Sequence, residues 1–514
     1  MDSLLLELPL VAFIVSLFCF ILNRFSRSKQ QFSLPPSPPA LPVIGHLHLI
    51  GDLPHHSMLE LSKKYGEFMF LKLGSLNTLV VSSPDAAKIV LKTLDPEFAM
   101  KPEHLEAKYA SYGGRGIIFA QYGEHWRQAR KLCTVQLLST KRVESAEPNR
   151  KLEMGLLLAD LWKCADDGAV VNLTNKLSDF AFNVMLKMVT GKSHSSSASS
   201  RDEEEQARSI KEGLMEFVRE GTGMHIATFF PWLTWVDKQV YKLASVHKRV
   251  DKILESEIDR HREKLGKSQP SMQHENFIDV MLMDSDANDA HIKAMTVDML
   301  AASTDTASIT SEWAISELLN HPAALAKVQA ELDEVIGQER TMQESDIRSL
   351  TYLQAVINET LRLHPPVPIY PRENSAQACM ISAKWGVPAR TRVFINAYAI
   401  GRDETLWKEA HRFKPERFLE EKVGIDARGQ DFELIPFGAG RRMCPGMQLG
   451  HTNVMLAVGS LLHAFNWIIP GADNGTGKVD MQEHFGMTVA RAAPLQLLPV
   501  PRLPAHALAL KPGI

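Results

Sequence analysis

Residues 437–446 limit what this chain can fold into more than any other stretch, because they surround one cysteine with residues suited to a thiolate. Their sequence is Phe-Gly-Ala-Gly-Arg-Arg-Met-Cys-Pro-Gly. Glycine permits positive φ and close backbone approach, so Gly440 and Gly446 can direct amide N–H groups at the sulfur of Cys444. Phe437 can shield the sulfur from water, and Arg442 can pair with an anionic group. The plain alternative is a buried free cysteine in a glycine-rich turn, and five residues at fixed offsets argue against it.

This loop resembles the haem-binding loop of the cytochromes P450, in which a cysteine thiolate ligates the haem iron. The resemblance covers roughly residues 30 to 505 and is closest to plant microsomal members. It implies haem b as the cofactor, Cys444 as the metal ligand, Phe437 as its shield and Arg442 as a partner of a haem propionate. It also implies the cytochrome P450 fold, which is mainly α with a small β portion, together with an N-terminal transmembrane helix.

The sequence Ala-Ser-Thr-Asp-Thr at residues 302–306 carries a second part of the resemblance. Hydroxyls and a carboxylate in mid-helix lower helix propensity and ordinarily mark a solvated face, but the flanks here are apolar and favour a buried helix. In the family the corresponding Thr and Asp help to relay protons to iron-bound dioxygen, which implies catalytic roles for Thr306 and Asp305. The family usually has Gly where this chain has Ser303, whose hydroxyl could bond the carbonyl four residues earlier and alter the helix groove.

Glu359 and Arg362 stand three residues apart, a spacing that puts an acid and a base on one helix face. Alone, such a pair is commonly a surface salt bridge. In the family this Glu and Arg form a buried triad with the Arg of a later Pro-Glu-Arg-Phe sequence, which is Arg417 here. The resemblance therefore implies a structural triad that stiffens the core on the cysteine side of the haem.

Three further residues match positions that contact haem propionates in the family. Trp126 and Arg130 lie four residues apart on a predicted helix, and Arg372 follows a proline-rich segment. For the first two, the alternative is simply an aromatic ring and a cation on one helix face. With the residues of the cysteine loop, they complete the implied cofactor-binding set.

The N-terminus predicts a membrane anchor. Residues 4–22 are nearly all apolar, close to the length that crosses a hydrocarbon core, and Arg24, Arg27 and Lys29 follow. Positive charge on the C-terminal flank places the rest of the chain in the cytosol. We expect an anchor at residues 1–24, a basic and proline-rich hinge at 25–42 and a haem-thiolate monooxygenase domain at 43–514, in a single-pass protein of the endoplasmic reticulum membrane. The alternatives are a cleaved signal peptide and, for the hinge, a plain surface linker.

Composition limits the possible partners. The formal net charge of −3 argues against a nucleic-acid-binding protein. The five cysteines are scattered and the histidines lack metal-ligand spacing, so neither a disulfide framework nor a zinc site is supported. No GxGxxG or P-loop sequence occurs, so the nicotinamide and flavin must belong to another chain. We expect electrons from NADPH to arrive through NADPH–cytochrome P450 reductase, a separate flavoprotein, with cytochrome b5 as a further donor.

Hydrophobic periodicity predicts long helices and a small sheet. The expected helices span residues 126–138, 240–265, 290–319, 346–363 and 447–465. The expected strands span residues 68–73, 78–81 and 392–395. Two polar stretches, residues 194–205 and 266–276, are expected to be solvated loops.

The substrate is the least constrained expectation. Residues 112–115 and the cysteine loop look most like family members that act on phenylpropanoids or flavonoids. The expected function is NADPH- and O2-dependent hydroxylation, or another oxidation, of a small apolar plant metabolite. A terpenoid oxidase, a reductase-independent haem-thiolate isomerase or dehydratase, and a non-catalytic haem protein are the alternatives. The Thr306–Asp305 pair argues against the last two.

Overall fold

The computed structural model describes residues 32–103, 105–192, 201–220, 226–267, 276–471 and 477–508. The predicted anchor and the basic part of the predicted hinge lie outside these residues. Within the described ranges, no helix has both the length and the apolar character needed to cross a membrane.

The described residues are mainly α, with 55% in helix and 11% in strand, as the sequence predicts. The α-helices are α1 (Pro54–Tyr65), α2 (Pro84–Lys88), α3 (Leu105–Tyr109), α4 (Glu124–Gln136), α5 (Thr140–Ser145), α6 (Glu147–Asp166), α7 (Leu173–Thr190), α8 (Arg201–Glu220), α9 (Ile226–Phe229), α10 (Lys238–Lys267), α11 (Phe277–Leu282), α12 (Asp289–Asn320), α13 (Pro322–Ile336), α14 (Thr351–Leu363), α15 (Ala397–Ile400), α16 (Arg417–Glu420) and α17 (Met447–Ala464).

The strands form one sheet of four and three smaller sheets. They are β1 (Phe68–Leu73), β2 (Leu76–Val81), β3 (Val171–Asn172), β4 (Ile369–Glu373), β5 (Cys379–Met380), β6 (Gly386–Val387), β7 (Arg392–Asn396), β8 (Phe465–Ile468), β9 (Glu483–Phe485), β10 (Val489–Arg491) and β11 (Gln496–Pro501). The largest sheet has the order β1-β2-β7-β4, and β2 and β7 are its parallel pair, with Thr78 opposite Arg392. The smaller sheets are β3-β11-β8, β9-β10 and β5-β6.

Helix α12 runs through the main hydrophobic core and packs against α7, α17 and α14. Most of its residues are buried, including Trp313, whose indole N–H donates to the carbonyl of Val489 in β10. A helix with apolar side chains on all its faces is expected at such a position, because every face must meet another element. This helix and α17, which follows the cysteine loop, together position the candidate site.

The predicted start of helix α14, at residue 346, differs from the structure. Residues 346–350 do not belong to α14, because Asp346 instead closes a 3-10 turn, where its carboxylate accepts from the backbone of Gln343 at 2.8 Å. Helix α14 begins at Thr351, and the carboxylate of Glu331 accepts from the N–H groups of Tyr352 and Leu353 at 2.6 and 2.9 Å. That cap comes from another helix, so local sequence does not reveal it.

The loop predicted at residues 194–205 is wrong from Arg201 onward, since α8 begins there. Acidic residues at the start of this helix suggested a solvated loop, but they also favour a helix N-terminus. Likewise α10 continues through Gly266 to Lys267, past the expected loop boundary. The rest of the two predicted loops, residues 194–200 and 268–275, lies outside the described residues.

The described part of the predicted hinge is hydrogen-bonded to β1 of the large sheet and to β6 of the β5-β6 sheet. The carbonyl of Pro36 accepts from the N–H of Phe70 in β1 at 2.9 Å, and the carbonyl of Ser33 accepts from Gly386 at 3.0 Å. A proline carbonyl can still accept a sheet hydrogen bond although the residue has no N–H. Residues from 33 onward are therefore attached to the domain and do not form a free spacer.

Candidate active site

The cysteine loop, residues 437–446, leads directly into α17. Its left-handed residues are Gly438, with φ of 70°, and Gly440, with φ of 72°. The N–H of Cys444 donates to the carbonyl of Phe437 at 2.9 Å and closes the loop. Gly446 does not use the positive φ that glycine permits, because its φ is −90°. Its backbone N–H is instead hydrogen-bonded to the sulfur of Cys444.

Gly440 is required both by its conformation and by a close approach. A Cβ at this residue would lie 2.1 Å from the carbonyl oxygen of Leu91 and 3.0 Å from the carboxyl group of Asp95. Asp95 also accepts a hydrogen bond from the backbone N–H of Arg441 at 3.0 Å. These contacts attach the cysteine loop to the turn after α2 and fix its path.

The surroundings of Cys444 do not by themselves produce a thiolate. Burial raises the pKa of the thiol, and the N–H of Gly446 and the charge of Arg130 only partly oppose this effect. A bound metal cation would supply the missing positive charge, since a coordinated thiol is deprotonated. The sulfur environment therefore suits a metal ligand better than a free reactive thiol.

Three guanidinium groups, those of Arg130, Arg372 and Arg442, gather beside the cysteine loop. Burial together with the charges of neighbouring arginines lowers the pKa of Arg372 to about 10 and of Arg442 to about 9. Arg442 donates from Nε to the carbonyl of Ala99 at 2.5 Å and from Nη2 to that of Ala120 at 2.6 Å. Its Nη1 is buried without a hydrogen-bond partner in the described part of the chain. Such a cluster fits an anionic group, and the two carboxylates of a haem meet this requirement.

Trp126 lies within this cationic cluster. The Arg442 guanidinium is 4.7 Å and the Arg130 guanidinium 5.5 Å from the indole ring, distances typical of cation–π contacts. The indole N–H donates to the carbonyl of Ile117 at 3.1 Å, so it is directed at the backbone rather than at an anion site. Arg130 also donates to the carbonyl of Met443, next to the cysteine, at 2.6 Å. Trp126 thus holds the two guanidiniums in place.

Asp305 and Thr306 lie in the middle of α12 and make different hydrogen bonds. The Thr306 hydroxyl donates to the carbonyl of Ala302 at 2.7 Å. The Asp305 carboxyl accepts a short hydrogen bond from the hydroxyl of Thr488, and burial raises its pKa. Ser303 donates to the carbonyl of Leu300 at 3.3 Å, three residues earlier rather than the expected four. The Ser303 hydroxyl is therefore occupied by its own helix.

The same part of α12 has accessible surface in an otherwise buried helix. Residues 292–300 and 307–318 are buried, whereas Ala302 is exposed and Asp305 and Thr306 are partly accessible. A small side chain with open surface in mid-helix lets a planar group lie against the helix. This pattern, the cationic cluster and the sulfur environment all fit a haem.

Glu359, Arg362 and Arg417 lie together, and their side chains are fully buried. The carboxylate accepts from Arg362 Nε at 2.7 Å and Nη2 at 2.8 Å, and from Arg417 Nε at 3.0 Å. It also accepts from the backbone N–H of Lys414 at 2.8 Å. The remaining guanidinium N–H groups donate to backbone carbonyls, among them that of Ala410 at 2.7 Å, so the network is extensively hydrogen-bonded.

Sequence reasoning missed two polar residues that make hydrogen bonds between α12 and other segments, Thr488 and Asp298. Thr488, whose hydroxyl donates to Asp305, lies between β9 and β10 and has no distinctive local sequence signal. Asp298 accepts from the N–H of Ile118 at 2.9 Å, and burial raises its pKa to about 7. The signal for Asp298 was available, because a carboxylate one turn before the hydroxyl-rich segment interrupts the apolar flank.

Comparison with known proteins agrees with the site. The cytochrome P450 family model matches residues 35–497. The chain is 38% identical to germacrene A hydroxylase of Tanacetum parthenium over 95% of this chain and 98% of the relative. It is 37% identical to a flavonoid 3'-monooxygenase of Crocosmia x crocosmiiflora, over 95% and 96%, and 37% identical to salviol synthase of Salvia pomifera, over 96% and 98%. The chain therefore belongs to the cytochrome P450 family, and it is a haem-thiolate monooxygenase that oxidises a small molecule with electrons from a redox partner.

Proposed function

We propose that Cys444 would ligate the haem iron and that the three clustered arginines would bind the haem propionates. The observation that carries this proposal is the gathering of Arg130, Arg372 and Arg442 beside the cysteine loop, where burial lowers the pKa of all three and neighbouring arginines lower those of Arg372 and Arg442 further. Two propionates supply the compensating negative charge. Phe437 packs against the core next to the loop and keeps water from the sulfur.

Trp126 supports the propionate site through Arg442 and Arg130. Its role differs from the direct propionate contact that the family resemblance implied, because its N–H is already bonded to a carbonyl. The indole face fixes both guanidiniums, so their donors are oriented before the cofactor binds. Trp126 is thus a positioning residue for the cofactor.

When bound, the haem iron supplies the activation of dioxygen. The protein contributes proton delivery through residues in the middle of α12. Burial raises the pKa of Asp305, so this carboxyl can hold a proton, and the Thr488 hydroxyl keeps it oriented. Thr306, the next residue, presents its hydroxyl on a partly accessible surface and can pass a proton onward after leaving the carbonyl of Ala302. We therefore assign the proton relay to Asp305 and Thr306.

The Glu359–Arg362–Arg417 network acts structurally in this proposal. It fixes α14 to the segment that precedes the cysteine loop, through carboxylate bonds that are all buried. A rigid support on this side limits the movement of the sulfur relative to the arginines. No proton transfer is assigned to it.

The electron donor and membrane location follow from the sequence. The chain lacks a dinucleotide-binding motif, so an NADPH–cytochrome P450 reductase is the proposed donor, with cytochrome b5 as a second one. The apolar run at residues 4–22 and the basic residues after it support a single-pass anchor in the endoplasmic reticulum, with the domain at residues 43–514 in the cytosol.

We propose a phenolic or flavonoid substrate, on the basis of residues 112–115 and the similarity to a flavonoid 3'-monooxygenase. A terpenoid is the second candidate, because germacrene A hydroxylase and salviol synthase are equally similar. A reductase-independent isomerase or dehydratase is less well supported, since such members typically lack the Thr–Asp pair.

The function is tested by reconstitution with the reductase. Flavonoids, phenolic esters and terpenes are screened by substrate-binding difference spectra, and each binder is then assayed for NADPH consumption and product. We expect Thr306→Ala to keep substrate binding but divert more of the consumed NADPH into peroxide, with Thr310→Ala on the same helix as the control. Unchanged coupling would remove Thr306 from the relay, and product formation without NADPH would identify an isomerase or dehydratase.

A further inference from the structure

Three side chains outside the haem site converge at the junction between the first helix and a late hairpin. His55 and His56 lie in the first turn of α1, and Glu483 begins β9. One carboxylate oxygen of Glu483 accepts from the Nε2 of His55 at 2.9 Å and from the Nε2 of His56 at 2.7 Å. All three potential ligand atoms lie within 4.8 Å of one another. The proposed monooxygenase mechanism uses none of them.

The imidazole rings are held in fixed orientations. The His55 side chain is fully buried, with its ring stacked on Phe485 at a centroid distance of 5.7 Å and edge-on to Tyr398 at 4.6 Å. The side-chain amide of Asn396 donates to the His55 carbonyl at 3.0 Å and anchors the start of the helix. The Tyr398 hydroxyl lies 3.4 Å from Nδ1 of His56, where it can support a ring that binds through Nε2. The two imidazole rings are therefore already oriented before a ligand binds.

The group is also reachable. The His56 side chain is 42% exposed, and His56 and Glu483 line a cavity of about 1000 Å³ together with Tyr398 and Phe485. Water can therefore reach the Glu483 carboxylate and the two Nε2 atoms from the side of His56. A site with three protein ligands and one open position is the arrangement in which zinc keeps a water or other small ligand.

We propose that His55, His56 and Glu483 form a binding site for a divalent transition-metal ion of the zinc type. Two imidazole nitrogens and one carboxylate are a ligand set that zinc accepts. In a tetrahedral site with bonds of about 2.0–2.1 Å, ligand atoms are about 3.3 Å apart. The separations of 2.7 and 2.9 Å between the Glu483 oxygen and the two Nε2 atoms are about half an ångström shorter than this.

The ion would connect distant parts of the chain. It would join α1 near the N-terminus of the domain to the β9–β10 hairpin near its C-terminus, and a ligand that binds only the folded state stabilises it. These histidines lack metal-ligand spacing in the sequence because the third ligand, Glu483, is 427 residues from His56. Only the tertiary fold brings the three together.

The test uses the haem-loaded full chain. A chelator first removes metal ions other than the haem iron, and the protein is then titrated with zinc by calorimetry. We expect one site per chain that is weakened at least tenfold by His56→Ala and by Glu483→Gln. His506→Ala is the matched control, because His506 and Glu339 form an exposed His–carboxylate pair at 2.9 Å. Zinc should also raise the Tm of the wild type and of the control, but not of the two variants.

His56 is the primary position to test because its exposed side chain contributes less to folding than buried His55. The reduced, carbon-monoxide-bound spectrum of each variant shows whether the haem domain is intact and does not depend on zinc. Equal zinc affinity in the wild type and an intact His56→Ala protein would overturn the proposal. An absence of zinc binding to the wild type would overturn it as well, and neither result would bear on the haem site.

Discussion

Removal of the charge on Glu359 tests whether the buried triad supports the fold. In Glu359→Gln, an amide of nearly the same shape faces Arg362 and Arg417, whose side chains are fully buried. Two guanidiniums then lose the carboxylate that compensates them, and the amide N–H2 can point a donor at other donors. Breaking a buried ion pair in this way costs about 3–5 kcal/mol.

The expected shift in melting temperature follows from the size of the chain. At about 2 cal/mol/K per residue, 514 residues have an unfolding entropy of about 1 kcal/mol/K, so the Tm falls by about 3–5 °C. The assay is loss of the haem Soret absorbance and of helical circular dichroism on heating, at one scan rate because unfolding of such a protein is commonly irreversible.

Glu409→Gln is the control, because it makes the same chemical change in an exposed pair with Arg412, three residues away. We expect it to leave the Tm unchanged. The double variant Glu359→Gln/Arg417→Met should be less destabilised than the sum of its single variants, because it also removes one uncompensated charge. Equal Tm values for Glu359→Gln and the wild type would refute the reasoning.

Two further predictions concern the buried carboxyl group of Asp298 and the binding of the cofactor by Arg442. Burial raises the pKa of Asp298 to about 7. The contribution of this carboxyl group to the free energy of unfolding is therefore full below about pH 4 and is lost as the pH rises through 7. Asp298→Asn should therefore raise the Tm relative to wild type at about pH 8 but not at about pH 4, and a pH-independent difference would contradict this. Arg442→Ala removes charge-assisted hydrogen bonds worth about 1.5–3 kcal/mol, and should speed haem transfer to a scavenger protein about tenfold or more. Arg441→Ala, at the exposed neighbouring residue, should leave that rate unchanged.

Local spacing predicted those features in which sequence neighbours become spatial neighbours. The pair Glu359 and Arg362 was readable because three residues make less than one helical turn. The hydroxyl-rich segment around Thr306 stood out because polar residues interrupted an apolar helix. The family resemblance added Arg417, which no local pattern connects to the other two.

Contacts between distant segments were not readable in the same way. Thr488 meets Asp305 only because the β9–β10 hairpin packs beside α12, and Glu331 caps α14 from a separate helix. Positive φ occurs at Gly438 and Gly440 but not at Gly446, and the close approach of Gly440 to Leu91 is a contact with a segment distant in sequence. Such details depend on tertiary packing that can override local preference.

The identity of the haem ligand is the central claim. The most direct measurement is the difference spectrum of the reduced protein with carbon monoxide, recorded for the wild type and for Cys444→Ala, with buried Cys133→Ala as the control. We predict the long-wavelength Soret band of a thiolate-ligated haem in the wild type and in Cys133→Ala, and its loss in Cys444→Ala. A normal band in Cys444→Ala would contradict the assignment.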